Sequence, residues 1–215
     1  METLKAYLIL AAVVGIPVFA VTYYFRMRRC KALGALAASL GLPFYPDGPD
    51  PRRLWETGFE LFRLGRSQNA CNLIEVPFPG GRIQIFDYHY TDGGGRATYN
   101  FNLTLALTPG EGVPSFDLRP ENLMDKMGEM IGFTDLDFPD FPLFSDKYRL
   151  IVLEEASARK FFNPARLAWF ERHLNLHVNG IPGNVLISSP GICLPVEEWP
   201  GVIEWAKNFA AEVLK

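Results

Sequence analysis

Residues 6–25, AYLILAAVVGIPVFAVTYYF, carry no charged side chain. At about 1.5 Å of rise per residue the run makes a helix about 30 Å long, the thickness of a bilayer's hydrocarbon core. A buried helix of a soluble domain, this long and with no polar face, would be a rarer alternative. Its flanks favour a membrane span. Tyr7 lies near one end and Tyr23 and Tyr24 at the other, where amphipathic rings settle among lipid headgroups. Gly15 and Pro17 would weaken a soluble helix but are tolerated in lipid.

Directly after the run comes RMRRCK, with Arg26, Arg28, Arg29 and Lys31, whereas the leading side offers only the amino terminus, Glu2 and Lys5. Cationic flanks stay on the cytoplasmic side. The pattern therefore predicts a single pass through the cell inner membrane, with the N-terminus outside and the rest of the chain facing the cytoplasm. The competing reading is a cleaved signal peptide, with Lys5 as its basic region and Val18-Phe19-Ala20 as its cleavage site. Against it, the apolar run exceeds the usual ~7–15 residues, and the basic cluster follows the run instead of preceding it.

The whole chain of 215 residues holds 21 basic and 24 acidic residues. Residues 1–31 take five of the basic ones and one acidic, leaving 16 against 23 and a net charge of −7. A surface that tracks phosphates needs the opposite sign, which argues against nucleic acid as a partner. The juxtamembrane cations can each gain about 1 kcal/mol from anionic lipid, while the acidic domain stands off the membrane surface. Cys30, Cys71 and Cys193 are odd in number and form no C-x-x-C, which reads as reduced structural thiols rather than a disulfide framework or a zinc site.

Residues 28–40 continue helically as a stem, with Leu33, Leu36, Ala37 and Leu40 on one stripe and Gly41 as the stop. A linker rich in Pro and Gly follows, and a single cytosolic α+β domain is expected over 54–215, after a 1–31 anchor and a 32–53 stem and linker. Short strands are expected at 59–64, 71–78 and 82–91, the last changing phase as at a bulge or in a strand covered on both faces. After Asp92-Gly93-Gly94-Gly95, a hairpin loop, Tyr99, Phe101, Leu103, Leu105 and Leu107 alternate with polar residues, which predicts an antiparallel strand with one wet face.

Pro120 is expected to open a helix carrying Leu123, Met127, Met130 and Ile131. A Pro-broken acidic and aromatic loop follows at 133–146, then a central strand at 148–153 and a helix at 155–162. Asn163-Pro164 caps the next helix. A strand–turn–strand unit through Val178 and Val185 leads to a last helix striped by Trp199, Val202, Ala206, Phe209 and Val213. Strands in series followed by helices point to α+β rather than a βαβ wind: one N-terminal transmembrane helix, then an antiparallel-sheet domain with packed helices.

Motifs that carry chemistry are missing. There is no G-x-x-x-x-G-K-[ST] and no G-x-S-x-G, so neither a nucleotide cofactor nor a nucleophile elbow is indicated. His173 and His177 stand four apart in an alternating stretch, which places both on the solvent face of a strand and away from zinc geometry. Asp87 and His89 share a strand phase, with Asp92 at the turn, and these three are the candidate ligands for a metal or a dispersed enzyme site. A polar sheet face is the simpler reading. Asp135, Asp137, Asp140 and Asp146 miss the calcium-loop pattern, so Phe138, Phe141 and Phe144 tucked into the core better explain that loop. A sharper alternative joins it to Met124, Met127 and Met130 as an adaptable partner-binding edge.

From Phe144 the chain reads FSDKYRLIVLEEASARKFFNPARLAWFE, followed by a hairpin with NVLISS. This resembles a pattern in bacterial membrane-associated proteins carrying a domain of unknown function. There, Phe-x-x-x-(Tyr/Phe) leads a strand, an acidic residue and Ala-Arg follow, and Thr/Ser-Pro opens the next helix. Phe144, Tyr148, Glu154 or Glu155, Ala158-Arg159 and Pro164 occupy those places, with Asn163 instead of the usual Thr. FDYHYT, residues 86–91, is similar to the strand such domains set before a variable hairpin. The resemblance covers about two-thirds of the chain and implies a membrane-tethered α+β domain, with no functional residues to carry over.

The expectation is thus a membrane-anchored protein that binds an unidentified protein partner without catalysis and without a cofactor. The runner-up is a hydrolase built on Asp87, His89 and Asp92, and the third possibility a subunit of a membrane assembly.

Overall fold

The computed structural model describes residues 2–94, 97–120, 134–173, 177–188 and 192–214, with side chains from Val13 onward. The chain begins with one long helix, α1 (Glu2–Ser39), followed by strand β1 (Phe44–Tyr45), helix α2 (Pro51–Glu56) and a 3-10 turn (Glu60–Arg63). Strands β2 (Arg66–Phe78), β3 (Gly81–Asp92), β4 (Tyr99–Gly110), β5 (Phe116–Pro120) and β6 (Thr134–Asp135) come next. Then follow α3 (Pro142–Lys147), β7 (Tyr148–Val152), α4 (Glu155–Phe161), α5 (Pro164–Arg172), β8 (His177–Ile181), β9 (Gly183–Ser188) and α6 (Trp199–Glu212).

Among the described residues nine strands form one sheet in the order β1-β2-β3-β4-β9-β8-β5-β7-β6, every pairing antiparallel. The α+β class expected from the order of elements holds. Continuous pairing from Gln84↔Leu107 to Asp92↔Tyr99 fixes which side chains share a face. On the inner face Ile74, Val76, Ile83, Ile85, Phe116 and Leu118 pack against α1 and the helices that follow β6, α6 among them. On the outer face Phe86, Tyr88, Leu105, Leu107 and Leu186 are covered by Leu54 of α2 and by Phe59 and Phe62 at the 3-10 turn.

Several expectations change. Residues 59–64 form no strand: Phe59 and Phe62, three apart, turn the same way in a 3-10 helix and cap the outer core. Of the two readings of the phase change in β3, the strand covered on both faces holds. The bulges lie in β2, between Arg66 and Asn69 and between Cys71 and Ile74. β4 has a wet face only toward the hairpin and is buried on both sides from Leu103 on. β7 is not central, since only the two-residue β6 lies beyond it. Pro120 closes β5, paired with Tyr148, while the helix expected after it and Met124, Met127 and Met130 lie outside the described residues.

The stem and linker also join the folded unit. Leu33 and Ala37 are buried in the inner core, Phe44 pairs with Ile74, and the ring of Phe44 lies against Gly34, where a Cβ would crowd it at 3.1 Å. Leu33, Ala37 and Phe44, all before the expected domain start near residue 54, thus pack with the same core as the strands. Other expectations hold: the Asn163 side chain accepts from Arg166 N at 3.0 Å as an N-cap, Phe138 and Phe144 are buried, and Trp199, Ala206, Phe209 and Val213 face the core with Ile203.

Outboard of Arg29, α1 leaves the domain. Val13, Val14, Ile16, Val18, Val21, Tyr23, Tyr24 and Phe25 are all exposed, and Phe19 reaches 72%. Among the described residues no helix is long and apolar enough to cross a membrane. The expected crossing at 6–25 is therefore not supported by the described residues; its side chains are described only from Val13 onward, which leaves out Tyr7.

Candidate functional site

β3 runs the length of the sheet between β2 and β4, and alternation sends Ile83, Ile85, Asp87, His89 and Thr91 to the inner face. The first two belong to the apolar core. The third places a carboxylate, 1% exposed, beneath α1. Such a group is tolerable only when it is paired and its oxygens are saturated with donors. Arg29 reaches in from α1 and donates Nε to Oδ2 at 2.7 Å and Nη2 to Oδ1 at 2.8 Å. Asn72 Nδ2 donates to Oδ2 at 2.8 Å, and Thr104 Oγ1 to Oδ1 at 3.3 Å. Cys193 Sγ lies 3.6 Å from Oδ1.

The sequence builds this junction locally. The second bulge of β2 sets an extra residue beside Asp87, and Asn72, at φ 57°, takes the left-handed conformation that Asn tolerates better than most. Thr104, paired opposite Asp87 on β4, also accepts from Leu194 N at 2.9 Å, so the segment leading to α6 is tied in. Trp199 stands behind Arg29, its ring centroid 5.9 Å from the guanidinium carbon. One carboxylate thus joins α1, β2, β3, β4 and the C-terminal segment.

Charge follows geometry here. The hydrogen bonds to Asp87 hold the Arg29 pKa above its ordinary value, with burial pulling the other way. Burial and then the Asp87 charge push the Cys71 thiol up to about 11, and burial pushes Cys193 up to about 12. Both thiols are protonated near neutral pH and are poor nucleophiles. The four cations that follow Phe25 fall into two groups. Arg26, Arg28 and Lys31 are exposed, while Arg29, 24% exposed, points into the protein.

The expected ligand set does not come together. His89 sits one step along the same face, with Nδ1 2.5 Å from Asn102 Oδ1 and Nε2 3.7 Å from Cys71 Sγ. Asp92 has the opposite phase and accepts from Gly93 N at 2.7 Å in the hairpin turn. A cavity of about 420 Å³ opens between α2 and the outer face, lined by Tyr45, Arg53, Glu75, Gln84 and Asn184 among others. A smaller one of about 80 Å³ lies beside Trp55 and Tyr88. Asp87, His89 and Asp92 line neither.

The other two histidines part company. His173 caps α5, stacked on Trp169 with ring centroids 3.9 Å apart, and lies on no strand. His177 opens β8 and is not a bare solvent-face residue. Its Nε2 is 2.8 Å from Asp117 Oδ1 and its Nδ1 3.2 Å from Ser188 Oγ. Asp117 also accepts from Asn179 Nδ2 at 3.0 Å and from Arg119 Nη2 at 2.7 Å. His177↔Ser188 and Asp117↔Asn179 are direct cross-strand partners, so this network lies on the outer face of β9, β8 and β5. The signal for it is the matched polar phase of Asp117 and Arg119 with His177 and Asn179, two short strands far apart in the chain.

No protein-family model matches the chain, and no curated protein matches it in sequence. Among solved structures it is similar to the crystal structure of the mycobacterial trehalose monomycolate transport factor A, TtfA. Identity is 15% and the TM-score 0.50, over 87% of this chain and 95% of that one. At that identity the likeness concerns the fold.

Proposed function

We propose that this protein is a membrane-anchored accessory factor whose folded domain binds a protein partner at the cytoplasmic face of the inner membrane. The observation that carries the reading is α1 itself. From Val13 to Phe25 every side chain is exposed, while Leu33 and Ala37 near its other end belong to the core. A continuous apolar surface of this kind needs lipid or protein against it. Arg26, Arg28 and Lys31 at the point of exit favour N-terminus out and domain in. The fold it shares with a transport factor, TtfA, fits an accessory role.

The test is fractionation of the full-length chain carrying a C-terminal reporter. The expected result is a membrane pellet that resists salt and alkaline carbonate, yields to detergent, and carries a reporter active only in the cytoplasm. A soluble product, a mature N-terminus at Val21 or a periplasmic reporter signal overturns the reading. Photocrosslinking from position 28 in intact membranes is expected to capture one discrete protein; labelled lipid alone removes the partner.

A further inference from the structure

We infer that Ser188, His177 and Asp117 form a nucleophilic site that accepts acyl groups from small activated esters, an activity that does not depend on the accessory role. Three features carry it. Ser188 Oγ, His177 and Asp117 stand in line, with separations of 3.2 and 2.8 Å on the two sides of the imidazole. A carboxylate accepts only, so the ring nitrogen facing Asp117, Nε2, carries the hydrogen, and Nδ1 presents its lone pair to the serine hydroxyl. Arg119 and Asn179 hold Asp117 in place from its other sides. Serine, base and orienting acid are recognised by these roles and not by chain order; relative to the usual serine hydrolase, the two ring nitrogens are exchanged.

Position in the fold agrees. Ser188 is the last residue of β9 and His177 the first of β8, so the pair sits at one end of these two strands. The imidazole is 22% exposed and Ser188 9%, which admits a small ester at the edge of the ring. Neither of the two cavities described above is lined by these three residues. In the reaction Ser188 Oγ bonds to the ester carbonyl carbon while its proton passes to His177 Nδ1. The carbon–oxygen bond to the leaving group breaks as that oxygen takes the proton, releasing an alcohol or phenol. Water then attacks the acyl-serine, giving its proton to Nδ1, and Ser188 recovers a proton as the carboxylic acid departs.

The experiment treats the full-length protein in detergent with 4-nitrophenyl acetate, following nitrophenolate release and mapping the acetyl group by peptide mass spectrometry. The expected outcome is an early burst and acetylation at Ser188. Ser188→Ala removes both, and His177→Gln, which keeps the serine, slows acylation by about 100-fold or more. Thermal melts of both variants confirm folding. The wild-type label map needs no variant: acetyl found only on lysine or tyrosine, or no acetyl at all, overturns the site. Ser188 labelling that is unchanged by His177→Gln in a folded protein overturns it as well.

Discussion

Arg29 and Asp87 lie 58 positions apart in the chain and meet as a two-point ion pair, Nε to Oδ2 at 2.7 Å and Nη2 to Oδ1 at 2.8 Å. The pair closes the space between the emerging helix and the middle of the sheet. Removing the cation leaves a buried carboxylate facing only neutral donors. Arg29→Met is therefore expected to lower unfolding free energy by about 3–5 kcal/mol, read from urea melts in detergent. The double variant Arg29→Met with Asp87→Asn should recover more than half of that loss, because no bare charge remains. Equal stability of the two variants would falsify the pairing.

The two thiols beside this pair give an alkaline limb to the stability curve. Burial raises Cys71 from 9.0 to about 11 and Cys193 from 9.0 to about 12. The unfolded chain releases these protons first, so the stabilisation is complete below about pH 9 and is lost as pH rises toward 11–12. Melting temperature should fall across that window. The Cys71→Ser, Cys193→Ser variant should show a flatter decline there, and thiol-reactive dye at pH 7.5 should label Cys71 and Cys193 only after denaturation.

Gly180 on β8 lies directly opposite Phe116 on β5, and the Phe116 ring occupies the space where a side chain would begin. Gly180→Ala is expected to destabilise by about 1–3 kcal/mol through overpacking. Relief by a second change, Phe116→Leu, would show up in a double-mutant cycle as a favourable coupling.

Phe162, 1% exposed, sits among the rings of Phe116, Phe138, Phe144, Phe161 and Phe170. Phe162→Ala should remove about 3–5 kcal/mol, against no more than about 0.5 kcal/mol for an exposed change such as Glu111→Gln. Calorimetry of the two variants side by side checks the difference.

Periodicity made β4, α5 and α6 legible, because each keeps one apolar phase over many residues and begins with a cap or a turn that states its chemistry. The 59–64 segment misled because its rings repeat every third residue, a spacing that a short alternating run imitates. The fate of Arg29 was hidden for another reason. Beside three other cations it reads as one more lipid contact, and nothing local says that a β2 bulge and Asp87 wait for it. His177 shows the same limit from the other side: an alternating polar residue looks solvated until Asp117, 60 positions away, is brought alongside. Pairings between distant strands are set by the register of the sheet, and register is a property of the whole chain.

Helix α1 passes from its apolar half into the core with no hinge between Pro17 and Ser39. A domain held in this way does not swivel like a bead on a string. About 18 Å of stiff rod separate Pro17 from Arg29, and any tilt or roll imposed on that rod by its surroundings swings the sheet through the same angle. The handle sets the compass bearing of every surface on the domain, the Ser188 edge included.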